Sequence, residues 1–257
     1  MRARSWTESE NSWDASEIMV RNEFYEVIDQ TRHYLRQQSE MYGQDMIFAH
    51  TDVLTSLGSK MGCETLNGYR ETIQNCAKCA LAKTRTHFVF GTGNPEANLM
   101  LIGEAPGREE DLQGTPFVGM AGQLLDKILK AIAFQREEVY IGNILKCRPP
   151  GNRDPLPDEI GLCMPFLLRQ IEIIRPQILL ALGRIAAQSL LKTTQSLDLL
   201  RGKVHDFQGI PLMVTYHPAA LLRNPQWKRP VWEDVQKLRC LYDQIVEDKS
   251  KWRQVQK

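Results

Sequence analysis

Four of the six cysteines are spaced in a way that could hold iron or zinc. Cys76 and Cys79 form a C-x2-C pair, which can place two thiolates on one metal ion or cluster. Cys147 and Cys163 are separated by fifteen residues, whereas zinc ribbons usually supply a second close pair. Spacing alone leaves three interpretations open: an iron–sulfur cluster, a zinc site or unligated thiols. At the two cysteines without such a spacing we expect buried thiols, namely Cys63 and Cys240.

A glycine-rich segment with many acidic side chains follows a predicted strand. Residues 103–111 have the sequence GEAPGREED, which matches neither the Rossmann glycine pattern nor the P-loop pattern. The sequence therefore does not predict a dinucleotide or nucleotide site. So much charge directly after a buried strand favours a functional site over a solvated acidic loop.

The elements that must position these residues alternate between strands and helices. Four apolar runs predict strands buried on both faces, at 98–103, 139–144, 176–182 and 211–216. Helical patterns occupy 121–132, 157–174 and 183–191, and a closing helix is predicted from Lys228 to Lys251. This order predicts a three-layer α/β/α domain with a central, mostly parallel four-stranded sheet. Ligands bind beyond the carboxyl ends of such strands, where the polar segments 103–111, 143–153 and 217–223 lie.

Composition is ordinary for a globular protein, but charge is unevenly distributed. The chain has 32 Lys and Arg against 31 Asp and Glu. Residues 1–60 carry six basic and ten acidic side chains, and residues 201–257 carry eleven and six. A near-neutral total does not exclude nucleic acid, because binding depends on where the basic side chains gather. No apolar run approaches the ~18 residues that span a bilayer, and no secretory signal is visible. We therefore expect an intracellular, cytoplasmic protein without a membrane partner.

The first sixty residues have a different character from the rest of the chain. Their apolar side chains fall near helical spacing and predict a helix from about Ala15 to Gln38. They contain no residue pattern typical of catalysis. We therefore expect an N-terminal helical extension over 1–60.

Four motifs together closely resemble those of the family 4 uracil-DNA glycosylases, which carry an iron–sulfur cluster. They are GEAPGREED (103–111), TPFVGMAGQLL (115–125), GNILKCRPPGNRDP (142–155) and HPAALLR (217–223). The resemblance covers about Cys76 to Leu241 and includes the order and spacing of the motifs, but not residues 1–60.

The resemblance implies a glycosylase domain over 61–257 that removes uracil from DNA and leaves an abasic site. It implies a 4Fe–4S cluster held by Cys76, Cys79, Cys147 and Cys163. The implied partner is uracil-containing DNA, single- or double-stranded, bound by a monomer.

The resemblance also implies which residues recognise the base. Asn143 would donate to uracil O4 and accept from N3–H, and cytosine reverses both functions. Phe117 would stack on the base, with Gly103 and Ala105 beside it. Ala105 stands where the best-known uracil-DNA glycosylases carry an Asp. Glu110 would block the methyl group of thymine.

Further roles concern bond cleavage and DNA contact. His217 would donate to uracil O2 as the base leaves, and Glu104 would position the attacking water. Leu221 or Leu222 would wedge into the base stack, and Arg223 would meet a phosphate.

Three alternatives remain at this point. One is a related class that traps uracil-DNA covalently, but its members carry a basic, His-containing insertion that the segment 146–157 lacks. The second is a structural or redox iron–sulfur protein without glycosylase activity. The third is a broader substrate range that includes other deaminated or mismatched bases.

Overall fold

The structure, a computed structural model, describes residues 65–246. These residues lie in the unit Glu64–Lys257. The predicted helix from Ala15 to Gln38 and the predicted extension 1–60 lie outside the described residues. Both therefore stay predictions, as does the domain boundary at residue 60.

A six-stranded sheet with the order β1-β3-β2-β4-β6-β5 forms the middle layer. The strands are β1 Thr92–Gly93, β2 Leu99–Gly103, β3 Tyr140–Asn143, β4 Ile178–Leu182, β5 Val204–Phe207 and β6 Ile210–Thr215. The four inner strands run parallel, whereas β1 and β5 pair antiparallel at the two edges. The predicted α/β class and mostly parallel sheet are confirmed.

The predicted count of four strands is wrong, because neither edge strand is a continuous apolar run. β1 has two residues, and β5 is buried only at its last residue. β2, β3 and β4 are buried at every residue, which matches strands covered on both faces.

Helices cover both faces of the sheet. They are α1 Leu66–Ile73, α2 Arg108–Gln113, α3 Met120–Ala131, α4 Pro157–Ile174, α5 Arg184–Leu191, α6 Leu197–Leu200, α7 Pro218–Arg223 and α8 Lys228–Ile245. Side chains alternate between the faces along each strand. Met100 and Ile102 share one core cluster with residues of α1, α4 and α5. Leu99 and Leu101 share the other with residues of α3, α7 and α8.

Two features of the described helices concern membrane insertion and the exposure of a cysteine. No helix among residues 65–246 is long and apolar enough to cross a membrane. The expectation of a buried thiol at Cys240 is wrong, because that side chain is exposed on α8. The helix buries Val231, Val235 and Leu238, and Cys240 lies off that apolar stripe. Cys63 lies outside the described residues.

Candidate active site

The predicted site residues after three strands meet around one pocket. β2, β3 and β6 are parallel, so their carboxyl ends at Gly103, Asn143 and Thr215 lie along one edge of the sheet. A cavity of about 330 Å³ opens there. Its walls come from Glu104, Ala105, Pro106, Gly107, Glu110, Phe117, Ala121, Asn143, Pro149, Asn152, Arg153, Asp154, His217, Ala219, Ala220 and Arg223.

Asn143 lines this pocket and carries a buried polar atom without a partner. It is the last residue of β3 and is only 2% exposed, yet its side-chain Oδ1 has no hydrogen-bond partner. A buried acceptor without a partner costs about 1–3 kcal/mol. Such a cost is expected where a ligand supplies the missing donor. Gly103 stands opposite Asn143 in the parallel register, and a Cβ on Gly103 would lie 2.4 Å from Oδ1. The glycine therefore leaves room for the amide.

Phe117 forms a second wall and requires an unusual backbone. Its φ is 53°, in the left-handed region that non-glycine residues seldom adopt. The turn is packed so closely that a Cβ on Gly122 would lie 1.9 Å from the Phe117 carbonyl oxygen. The Phe117 ring faces the imidazole of His217, with centroids 5.3 Å apart and planes 30° from parallel. Strained backbone of this kind clusters at binding sites.

His217 is held as a neutral imidazole with a defined tautomer. It is the N-cap of α7, and its Nδ1 accepts a hydrogen bond of 3.2 Å from the Ala219 main-chain N–H. Burial, helped by Arg223 and opposed by Glu110, lowers the pKa of His217 to about 4. At neutral pH Nδ1 therefore carries no proton and Nε2 does. The ring can donate one hydrogen bond from Nε2.

Glu104 lines the pocket, and its carboxyl group is a weaker acid than that of an ordinary glutamate. Burial raises its pKa to about 7; Asp154 adds to this rise and Arg184 opposes it. Asp154 and Arg184 form an ion pair of 2.6 Å near the site. A carboxyl group that titrates near neutrality can act as a general base. Ala105, the next residue, also lines the cavity but carries no side-chain function.

Glu110 is anchored by main-chain donors. Its Oε1 accepts hydrogen bonds of 3.0 Å from the N–H groups of both Val118 and Gly119. This ties α2 to the turn that follows Phe117. The carboxylate is therefore a fixed part of the pocket wall.

The two leucines of the HPAALLR motif have different environments. Leu221 is 2% exposed and belongs to the hydrophobic core, whereas Leu222 is 44% exposed. Arg223 is exposed at the end of α7 and lines the pocket. Leu222 and Arg223 are therefore accessible to a macromolecule, and Leu221 is not.

The structure adds pocket residues that the sequence argument did not assign. Asn152, Arg153 and Asp154 form one wall. Arg153 pairs with Glu159 through two hydrogen bonds, at 2.9 and 2.6 Å, which fixes this loop to α4. Residues 152–154 could have been expected at the pocket, because they lie in the motif 142–155 that follows a predicted strand.

The four predicted ligand cysteines come together in the structure. Cys76, Cys79, Cys147 and Cys163 line one small cavity with Arg85 and Phe166. Arg85 donates to the Cys147 sulfur at 3.3 Å, and the Lys146 main-chain N–H donates to the Cys163 sulfur at 3.3 Å.

Two of these thiols are weaker acids than an ordinary cysteine. Burial raises the pKa of the Cys147 thiol, and it raises that of Cys163 to about 11. Among residues 65–246, no three His, Cys, Asp or Glu side chains are arranged to hold a metal ion. Four cysteines on one cavity offer as many thiols as a 4Fe–4S cluster needs, because such a cluster spreads its thiolates over four irons.

Comparisons with known proteins agree with this geometry. The profile of the Uracil DNA glycosylase superfamily matches residues 90–237, which include the pocket motifs. The type-4 uracil-DNA glycosylase of Archaeoglobus fulgidus is 44% identical over 183 residues, 68% of this chain and 92% of that protein. The type-4 enzyme of Saccharolobus solfataricus is 44% identical over 185 residues, 68% and 86% of the two chains. A type-5 uracil-DNA glycosylase of Pyrobaculum aerophilum is 29% identical over 194 residues, 68% and 84%. Because the superfamily profile covers more than half of the chain and the type-4 relatives are matched over most of their length, the chain belongs to the type-4 uracil-DNA glycosylases.

Proposed function

We propose that this protein removes uracil from DNA by flipping the nucleotide into the pocket and hydrolysing the bond between N1 and C1′. The observation that carries the proposal is the buried, unpartnered Oδ1 of Asn143, a residue that lines a cavity of about 330 Å³. A stacked base pair hides the reacting bond, so the base must leave the duplex. The type-4 relatives are named for this substrate.

Base selection rests on Asn143, with Phe117 and Glu110 shaping the pocket. The free Oδ1 of Asn143 accepts from uracil N3–H, and its amide donates to O4. Cytosine has an acceptor at N3 and a donor at C4, so it would leave both buried groups unpaired. Phe117 supplies a face on which the base stacks. The anchored Glu110 carboxylate would block the methyl group of thymine.

Cleavage rests on His217. Breaking the bond expels a uracil anion whose charge accumulates on O2. The Nε2–H of neutral His217 donates to this oxygen, and its low pKa means that the ring stays neutral throughout the physiological range. A donor aimed at a developing anion contributes about 10²–10³ in rate. The ring needs no reorganisation, because Ala219 and Phe117 already hold it.

Water attack rests on Glu104. Its pKa of about 7 allows the carboxylate to accept a proton from water at neutral pH. Because this sequence has Ala105 beside it, no aspartate competes for that role at the next position. The main chain of Glu104 is fixed, since its carbonyl accepts from the Leu145 N–H at 3.0 Å.

DNA contact rests on the exposed part of α7. Leu222 is the apolar side chain that can enter the base stack vacated by uracil, and Arg223 can meet a phosphate. The buried Leu221 instead holds α7 on the core. We further propose that the protein acts as a monomer, on single- or double-stranded DNA, in the cytoplasm and on the nucleoid when DNA-bound.

The four cysteines are proposed to hold one 4Fe–4S cluster. When bound, it would tie the segment before β1 to the loop after β3, and its role would be structural. Anaerobically purified protein should be brown and contain about four irons per chain. Cys163→Ser should lose iron, whereas Cys240→Ser, a matched change at the exposed thiol, should keep it. Stoichiometric zinc without iron or sulfide would contradict the assignment.

The function is tested with a labelled oligonucleotide that contains one uracil. Release of the base creates an alkali-sensitive abasic site, so the strand should break at that position after alkali treatment. The same strand with cytosine or thymine is the control. A stable protein–DNA adduct without free uracil would indicate covalent trapping. A bound cluster without uracil release or binding would indicate a structural or redox protein.

The extension 1–60 is proposed to be dispensable for excision. It contains none of the matched motifs, and its acidic excess disfavours a direct grip on phosphates. A chain that starts near Met61 should therefore release uracil at an unchanged rate. A folded, iron-loaded truncation without activity would show that the extension completes the site.

A further inference from the structure

A fully buried lysine lies between the base-reading asparagine and the cysteines. Lys146 is 0% exposed, three residues after Asn143 and one before Cys147. Its Nζ donates to the Asn143 main-chain carbonyl at 2.9 Å and to Gln170 Oε1 at 2.5 Å. Both acceptors are uncharged oxygens. Lysine is seldom buried completely, and doing so costs free energy that an apolar side chain of similar length would not.

Gln170 fixes the other end of this contact. It is also 0% exposed, and its Nε2 donates to the Phe90 carbonyl at 2.9 Å and to the Tyr140 hydroxyl at 3.1 Å. These two acceptors orient the amide so that its oxygen faces Lys146. The ammonium group is therefore held in a fixed position next to Asn143, the last residue of β3.

The Asn143 side chain needs such support, because its Oδ1 makes no hydrogen bond of its own. Its orientation must come from its main chain and from packing. The turn after β3 is tied to the β2 side by Ile144 N–H to the Gly103 carbonyl, and by Leu145 N–H to the Glu104 carbonyl, both at 3.0 Å. The Lys146 ammonium adds a further contact at this turn, because it donates to the main-chain carbonyl of Asn143 itself.

We propose that Lys146 is a positioning residue that sets the orientation of Asn143 for base recognition, with Gln170 as its anchor. The inference rests on the function proposed above and adds a residue that does not touch the base. Removing the ammonium would leave the Asn143 carbonyl and Gln170 Oε1 unpaired. The Asn143 peptide could then rotate, and its amide would spend less time in the uracil-reading orientation.

The test is a double-mutant cycle between Lys146→Met and Asn143→Ala. Single-turnover uracil release should fall about tenfold in Lys146→Met, which corresponds to about 1.4 kcal/mol, an ordinary coupling between residues in contact. In the Asn143→Ala background the same change should cost less than about twofold, because the group that it positions is gone. Lys130→Met, the same substitution at an exposed site on α3, should have no effect. If Lys146→Met fails to fold, the cycle is run with Lys146→Gln, which keeps a polar group in the buried site but is too short to bridge both acceptors, and the same two outcomes are expected.

A binding measurement separates positioning from general damage. DNA with a non-hydrolysable 2′-fluoro-arabinosyl uracil is compared with the matching cytosine strand by fluorescence anisotropy. The uracil preference should fall about tenfold in Lys146→Met while iron content stays unchanged. Equal losses with and without Asn143, or an unchanged preference in the folded variant, would overturn the proposal. If the unmodified protein neither released uracil nor preferred it, the proposed function itself would fail, which is a distinct result.

Discussion

Replacing His217 by alanine tests the leaving-group role directly. The substitution removes the Nε2–H donor from the pocket and also the acceptor of the Ala219 N–H. Loss of one donor to the developing anion should slow cleavage by about 10²–10³, equivalent to ~3–4 kcal/mol in the barrier. Loss of the N-cap should lower folding stability by only about 1 kcal/mol. The two effects are separable, because one appears in the rate and the other in unfolding.

The assay is uracil release with the protein in excess over DNA, so that product release does not limit the rate. His205→Ala is the matched control, because His205 lies on the edge strand β5, where its ring contacts the Leu200 carbonyl at 2.7 Å. It should cleave at the unmodified rate. If iron-loaded His217→Ala cleaved as fast as that control, main-chain groups would have to stabilise the anion.

The same imidazole also makes stability depend on pH. The pKa of His217 is lowered from 6.5 to about 4 in the folded protein, so the unfolded chain binds a proton first as pH falls. Stability contributed by this group is complete above pH 6.5 and is lost as pH falls towards 4, by about 3 kcal/mol in total. Urea unfolding at pH 7 and pH 4.5 should show a larger difference for the unmodified protein than for His217→Ala. Equal differences would contradict a buried neutral ring.

Three more perturbations probe other parts of the site. Excision should rise with pH through about 7 as Glu104 ionises, and Glu104→Gln should flatten this profile; identical profiles would remove Glu104 from water activation. Gly122→Ala should abolish most activity, because its Cβ would lie 1.9 Å from a carbonyl oxygen, whereas Gly161→Ala on α4 meets no atom within 4 Å and should be neutral or stabilising. Leu222→Ala should slow excision from duplex more than from single-stranded DNA, whereas Leu221→Ala should lower the free energy of unfolding by about 2–5 kcal/mol. Equal strand effects for Leu222→Ala would argue against a wedge.

The apolar runs and polar motifs of the sequence were enough to predict the layered α/β architecture and the region of the candidate site. Buried parallel strands require continuous apolar runs, so the four inner strands could be located to within two residues. The polar motifs follow strands, and topology then places them along one edge. The functional assignment came from the resemblance of the four motifs together to one family, since no single motif is specific enough.

The exposure and the protonation state of these residues follow from the folded chain and could not be predicted from the motifs. Burial divides Leu221 from Leu222, although they are adjacent in sequence and identical in type. The pKa values of Glu104 and His217 depend on desolvation and on charges that folding brings near, such as Asp154 beside Glu104 and Arg223 at the other end of α7 from His217. Lys146 looks like a surface residue by type, yet its ammonium lies in the core, because Gln170, 24 residues later, provides an oxygen there. Local sequence patterns carry no information about such long-range neighbours, and those neighbours set burial, protonation and side-chain orientation.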